Sequence, residues 1–257
     1  MSEQTGSVSC NINNGIAHIT FYHPQSNSLP GDLLRKLAAE INQAGNNADV
    51  KVIVLKSEGE KAFCAGASFD ELTSIDNEQT GQQFFSGFAQ VINAMRKAPK
   101  FVLCRVQGKS VGGGVGIACS ADITYAVENA SVKLSELAVG IGPFVVGPAV
   151  ERKIGKGPFC ELTINATEWR DAAWAKQKGM YAEVFKNADA MDEALSVLAE
   201  RLANSNPEAM MMLKKIMWEG TENWDTLLIE RAQMSGTLVL SDFTRKAIAG
   251  FKAGVRK

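Results

Sequence analysis

Twice in the first half of the chain, a run of apolar, β-branched residues gives way to a loop of small residues and then to a helical pattern. VKVIVLKS (50–57) leads into SEGEKAFCAGAS, and FVLCRV (101–106) leads into QGKSVGGG. Continuous β-branched runs suit buried strands. Strands that alternate with helical segments predict an α/β fold with crossover helices.

The rest of the chain fits around this repeat. Residues 8–12 and 15–21 alternate in polarity about Asn13-Asn14-Gly15, which predicts a β-hairpin. After the turn-rich HPQSNSLPG, Leu33, Leu34, Leu37, Ala38 and Ile41 recur at helical spacing within 32–46. A helix is expected over 79–97, ending before Pro99, and another opens near Gly113 ahead of the strand DITYAV. Beyond residue 150 the pattern reads as almost purely helical, with helices over 145–154, 171–178, 189–203, 208–218, 223–236 and 242–252. The chain divides into a core, 1–200, and a C-terminal helical region, 201–257, that covers the core or packs on a neighbouring subunit.

Several function classes are excluded. The net charge of −1 comes from interspersed acids and bases, so no basic stripe invites nucleic acid. No apolar run reaches the roughly 20 residues of a membrane helix, and MSEQTGSVSC is unlike a signal peptide. Five cysteines, an odd number without a CxxC pair, fit a reduced cytoplasmic interior. Only His18 and His23 are available, which excludes a histidine-rich metal centre; no metal site is expected.

The small-residue loops are the candidate site. Phe63-Cys64-Ala65-Gly66-Ala67-Ser68 lets a ligand approach main chain closely. Val111-Gly112-Gly113-Gly114-Val115-Gly116 opens a helix, whose N-terminus offers unpaired N–H donors. Two such loops side by side could aim two N–H groups at one oxygen, as an oxyanion hole does. The same residues also suit tight strand–helix packing. The GGG segment is a poor dinucleotide fingerprint: its third position is Ile117, and the next strand ends in Tyr125-Ala126-Val127 without an acid.

AFCAGASFDEL and RVQGKSVGGGVGIACSADITYA, with NSLPGDLLRKL before them and KLSELAVGIGPF after, resemble the crotonase superfamily, the enoyl-CoA hydratase/isomerase family. The resemblance covers most of the chain. It implies a spiral of ββα units with a helical C-terminal region, assembled as a homotrimer or hexamer. It also implies an acyl-CoA thioester substrate, with coenzyme A part of that substrate and no separate cofactor. The implied oxyanion donors are the N–H groups of Ala67 and Gly113. Ala62, Ala65, Gly66, Gly112 and Gly114 fall in the stretches that receive CoA and the thioester. Lys252, with Phe251, matches a C-terminal position that touches CoA in relatives, although SDFTRKAIAGFK lacks the usual Glu-Gly.

Family hydratases carry two glutamates. The first lies three residues beyond the middle glycine of the second loop, and that position is Gly116 here. The second matches Glu136 in SELAVG, whose apolar surroundings should raise its pKa. A single carboxylate suffices to move a proton from the α-carbon of a thioester to the γ-carbon, so isomerisation is slightly favoured. Hydration, or acyl-CoA binding without catalysis, is the alternative. Dehalogenase-like relatives have an aspartate where Phe144 stands, which argues against that chemistry and leaves Phe144 as a substrate-binding candidate. Asp70 and Glu71, on a short helix after Ser68, read as structural or solvated, and Phe84, Phe85 and Phe88 read as core or acyl pocket.

Overall fold

A computed structural model describes residues 6–252. The chain runs β1 (Ser7–Asn13), β2 (Ile16–Tyr22), α1 (Gly31–Asn46), β3 (Val52–Ser57), β4 (Ala62–Cys64), α2 (Phe69–Ser74), α3 (Glu78–Lys97), β5 (Phe101–Val106), β6 (Lys109–Val111), α4 (Gly113–Ser120), β7 (Ile123–Val127) and β8 (Ser131–Lys133). A 3-10 turn (Leu137–Val139) follows, then α5 (Gly147–Ile154), α6 (Lys156–Ile164), β9 (Arg170–Asp171), α7 (Ala172–Gln177), β10 (Glu183–Phe185), α8 (Ala188–Ala203), α9 (Pro207–Met217), α10 (Trp224–Leu238) and α11 (Asp242–Lys252).

Two sheets result. A six-stranded sheet has the order β1-β2-β3-β5-β7-β10, and a four-stranded sheet the order β4-β6-β8-β9. The β1–β2 pair is an antiparallel hairpin whose Asn14 and Gly15 both have positive φ, the geometry of a two-residue primed turn. From β2 to β10 the large sheet is parallel. After each of β3, β5 and β7 the chain adds a short strand to the small sheet before its next helix. This β–β–α recurrence is the crotonase-type spiral.

Burial explains the apolar runs. In β3, Ile53 and Leu55 join the main core while Val52 and Val54 join a second cluster. In β5, Val102, Cys104 and Val106 part in the same way from Phe101 and Leu103. Alternate side chains leave opposite faces of a strand, and here both faces are covered. The helices α1 and α3 pack together within the main core; Leu195 and Ala199 of α8 with Met210 of α9 close the other face.

Three expectations need correction. The loops SEGEKAFCAGAS and QGKSVGGG each contain a short strand, β4 and β6, so the glycine stretches end strands of the small sheet and not of the large one. The region beyond residue 150 is not purely helical: β9 and β10 each complete a sheet edge. The helix α6 was not anticipated, because Gly155-Lys156-Gly157-Pro158 reads as a loop. Its proline falls in the first helical turn, where no intrahelical N–H partner is lost.

One buried charge pair ties α9 to the core. Lys214 Nζ lies 2.6 Å from Asp122 Oδ2 and donates to Met95 O at 2.9 Å. Asp122 also accepts from Trp218 Nε1 at 2.8 Å and from Val102 N at 2.7 Å. Lys153 Nζ donates to the Ala121 and Asp122 carbonyls at the same corner.

Candidate active site

The parallel pair β4–β6 sets the two glycine loops beside each other. Their interlock requires glycine. Gly66 has φ +87°, and a Cβ there would stand 2.8 Å from Val111 O and 3.5 Å from Gly113 N. Gly112 has φ +52°, and its Cβ would stand 3.0 Å from Glu136 Oε1. Gly113 lies under the Phe88 ring, and Gly114 packs on Cys64 O.

The donor pattern follows from the neighbouring hydrogen bonds. Leu29 bridges the first loop through Leu29 N to Gly66 O at 2.8 Å and Ser68 N to Leu29 O at 3.4 Å. Ala67 lies between these bonds, so its own N–H faces the other way. Gly112 N is taken by Lys133 O at 2.9 Å, and the helical bonds of α4 begin with Val115 N and Gly116 N to Gly112 O. Gly113 N, at the helix start, precedes them. Neither Ala67 N nor Gly113 N has an acceptor among the described residues.

Both residues line a cavity of about 70 Å³, with Ala65, Gly66, Gly112, Phe144 and Glu136. The remaining wall is mostly apolar: Phe69 and Leu72 of α2, Phe85 and Phe88 of α3, then Val139, Ile141, Val145 and Val146. Among the described residues, Ser135, Glu136 and Ser235 are its polar side chains, and no Lys, Arg or His is in the wall. Glu136 Oε2 is sealed from solvent and has no hydrogen-bond partner among the described residues. That burial pushes the Glu136 carboxyl up to about 7. A group of this kind exchanges protons near neutrality, next to two main-chain donors.

A Cβ built at Gly116 would stand 2.5 Å from Val146 Cβ. The space a second acidic side chain would need is therefore filled by the residue that leads into α5.

The other candidates fall as follows. Ala62 is outside the cavity wall, and its carbonyl accepts from Asn27 Nδ2 at 2.9 Å and Gln107 Nε2 at 3.1 Å. Gly114 supports the second loop from behind. The side chains of Phe251 and Lys252 lie outside the described residues. Ser68 caps α2 through Glu71 N, Glu71 accepts from Gly31 N at 2.6 Å, and Asp70 accepts from Gln25 Nε2 at 2.6 Å, so these acids hold the loop. Phe84 is core, whereas Phe85 and Phe88 face the cavity. His23 Nδ1 lies 3.1 Å from Ser28 Oγ in the turn before α1. His18 lies by Lys56, Arg105 and Asp192, away from the cavity. No metal-ligating cluster occurs among the described residues. Val146 and Ser235 were missed by sequence reasoning, since neither sits in a motif.

A sequence profile described as enoyl-CoA hydratase/isomerase matches residues 11–252. The chain belongs to this family. A probable enoyl-CoA hydratase of Bacillus subtilis is 25% identical over 246 residues, covering 95% of each chain. A peroxisomal Δ(3,5)-Δ(2,4)-dienoyl-CoA isomerase of Arabidopsis thaliana is 25% identical over 256 residues, covering 93% of this chain and 90% of its own. The crystal structure of an enoyl-CoA hydratase from Bacillus halodurans superposes with a TM-score of 0.87 at 19% identity, covering 95% of this chain and 99% of that one. The enoyl-CoA hydratase/isomerase family thus contains both hydratases and isomerases among the relatives of this chain, and its members act on acyl-CoA thioesters. No helix among the described residues is long and apolar enough to cross a membrane.

Proposed function

We propose that this family member is an enoyl-CoA double-bond isomerase with Glu136 as its single acid–base group. The observation that carries the reading is the pairing of Glu136, whose Oε2 is buried without a partner, with Gly116, whose side-chain space is filled by Val146.

The 3-enoyl thioester places its carbonyl oxygen between Ala67 N–H and Gly113 N–H. The ionised Glu136 carboxylate takes a proton from C2, and the C2–H electron pair moves into the thioester as a dienolate. Negative charge collects on the oxygen, where two fixed donors stabilise it best. Glu136, now protonated, returns its proton to C4. The double bond moves from C3=C4 to C2=C3, and the carboxylate is regenerated without water. Coenzyme A is part of the substrate, and the cycle needs no cofactor or metal.

Hydration of a 2-enoyl thioester is the second reading. Ser135, beside Glu136 in the same wall, offers a hydroxyl that would orient water, and several relatives are named as hydratases. The decisive assay compares 3-enoyl-CoA with 2-enoyl-CoA in the wild type and Glu136→Gln. Turnover of the 3-enoyl substrate, lost by a factor of about 10² or more in the variant, is expected. Full activity in Glu136→Gln on every substrate would remove Glu136 from the mechanism. Tight CoA-thioester binding with no turnover in the wild type would favour a non-catalytic relative.

The same reading includes a homotrimer or hexamer. Met211, Met212, Leu213, Ile216 and Met217 stand exposed on α9, and contiguous apolar surface of this kind suits subunit association. Sedimentation as a monomer at micromolar concentration would count against it.

A further inference from the structure

The cavity contains a hydroxyl that the proposed reaction does not use. Ser235 lies on α10, is 2% exposed and lines the cavity. A helical serine commonly returns its hydroxyl to a carbonyl of the preceding turn, as Ser120 does to Gly116 O at 2.7 Å. The buried Ser28, Ser57 and Ser68 hydroxyls also have partners, whereas Ser110 Oγ, sealed in the core, has none among the described residues. Ser235 Oγ makes no hydrogen bond to the described residues, and it is not among the side-chain atoms sealed from solvent, so it opens to the cavity. Covering that hydroxyl with a purely apolar chain would leave it unpaired, which is costly, and a ligand oxygen avoids that cost.

Its place in the fold sets what can reach it. Phe88 lies against Gly113, Phe85 follows toward the start of α3, and Gly81 lies a further turn along, where α10 crosses at Gly236. Ser235 is next to that crossing, at the end of the α3 wall away from the Gly113 donor. Seven residues of helix span roughly 10 Å, and a hydrogen bond occupies about 3 Å of it. A short acyl chain fits the remainder, in keeping with a cavity of about 70 Å³. Among the described residues the wall contains no cationic side chain, so none of them would compensate a buried distal carboxylate.

We propose that Ser235 is a specificity-determining residue that selects a short acyl thioester carrying a neutral hydrogen-bonding oxygen, a ketone or hydroxyl, near its distal end. The proposal rests on the cavity being the acyl site of the isomerase reading. Binding of non-reacting saturated thioesters tests it separately from the chemistry. Titration calorimetry would compare pentanoyl-CoA, 4-oxopentanoyl-CoA and glutaryl-CoA on the wild type, Ser235→Ala and the control Ser196→Ala, which lies on α8 outside the cavity. The wild type should bind 4-oxopentanoyl-CoA about tenfold tighter than pentanoyl-CoA, with glutaryl-CoA weakest. Ser235→Ala should level the first two without weakening pentanoyl-CoA, and Ser196→Ala should keep the preference. Equal binding of the first two by the wild type, a preference that survives Ser235→Ala, or tightest binding of glutaryl-CoA would overturn the proposal. Loss of the preference alone leaves the Glu136 assignment standing; an active Glu136→Gln removes that assignment and leaves the binding result intact.

Discussion

Glu136 is where burial and chemistry meet, and its titration has two readouts. On the proposed mechanism the carboxylate form removes the C2 proton, so kcat/KM should rise with pH through about 7, where burial holds the carboxyl. Stability runs the other way. Below the ordinary value of 4.5 the group is protonated whether folded or unfolded. Between 4.5 and about 7 the unfolded chain releases its proton while the native one retains it, so native stability falls as pH rises through that window. Glu136→Gln does not titrate, and its Tm advantage over the wild type should therefore be larger at pH 8 than at pH 5; an advantage that shrinks would contradict the buried carboxyl. Gly116 gives a second test at this scale. Gly116→Glu should lose about 1–3 kcal/mol by overpacking against Val146. Adding Val146→Ala should recover part of it in urea titrations, and independent losses from the two changes would show that they do not meet.

At the scale of elements, the helices α3 and α10 make one side of the cavity by packing very closely. A Cβ at Gly81 would stand 2.8 Å from the Gly236 Cα. Gly81→Val should therefore force the pair apart, lower Tm, and raise KM for the acyl-CoA more than it changes kcat. An unchanged KM would mean that α10 does not shape the acyl site. This crossing also marks the limit of what the sequence makes legible. The buried strands, the Asn14-Gly15 hairpin and the two glycine loops announce themselves, because local chemistry dictates them: β-branched runs, a primed turn, main chain that no side chain may crowd. Glu136 is legible through its motif. Val146 and Ser235 are not, since one acts by filling space beside a glycine 30 positions earlier and the other arrives on a helix more than 100 residues beyond the loops. The three residues of β10 are too few for a period, and the glycines and proline of α6 resemble a turn until the helix end is placed.

Across the whole molecule, the C-terminal helices depend on a buried polar anchor as well as apolar contact. Lys214 and Asp122 have side chains 3% and 6% exposed. Removing one partner strands the other, which costs about 3–5 kcal/mol. Lys214→Met should shift the urea midpoint down accordingly, whereas replacing both partners by apolar residues should cost less than the single change. A single-variant loss below about 1 kcal/mol would mean that the pair is solvated.

The two donors at Ala67 and Gly113 are peptide N–H groups, held by contacts among Gly66, Gly112 and their neighbours. Substituting Ala67 by any residue except proline leaves its N–H in place. On the proposed reading, acidic residues can be added or removed around the cavity without loosening the hold on the thioester oxygen. A library that varies residues 116, 136, 146 and 235 should therefore move this scaffold between chemistries more readily than one aimed at the loops.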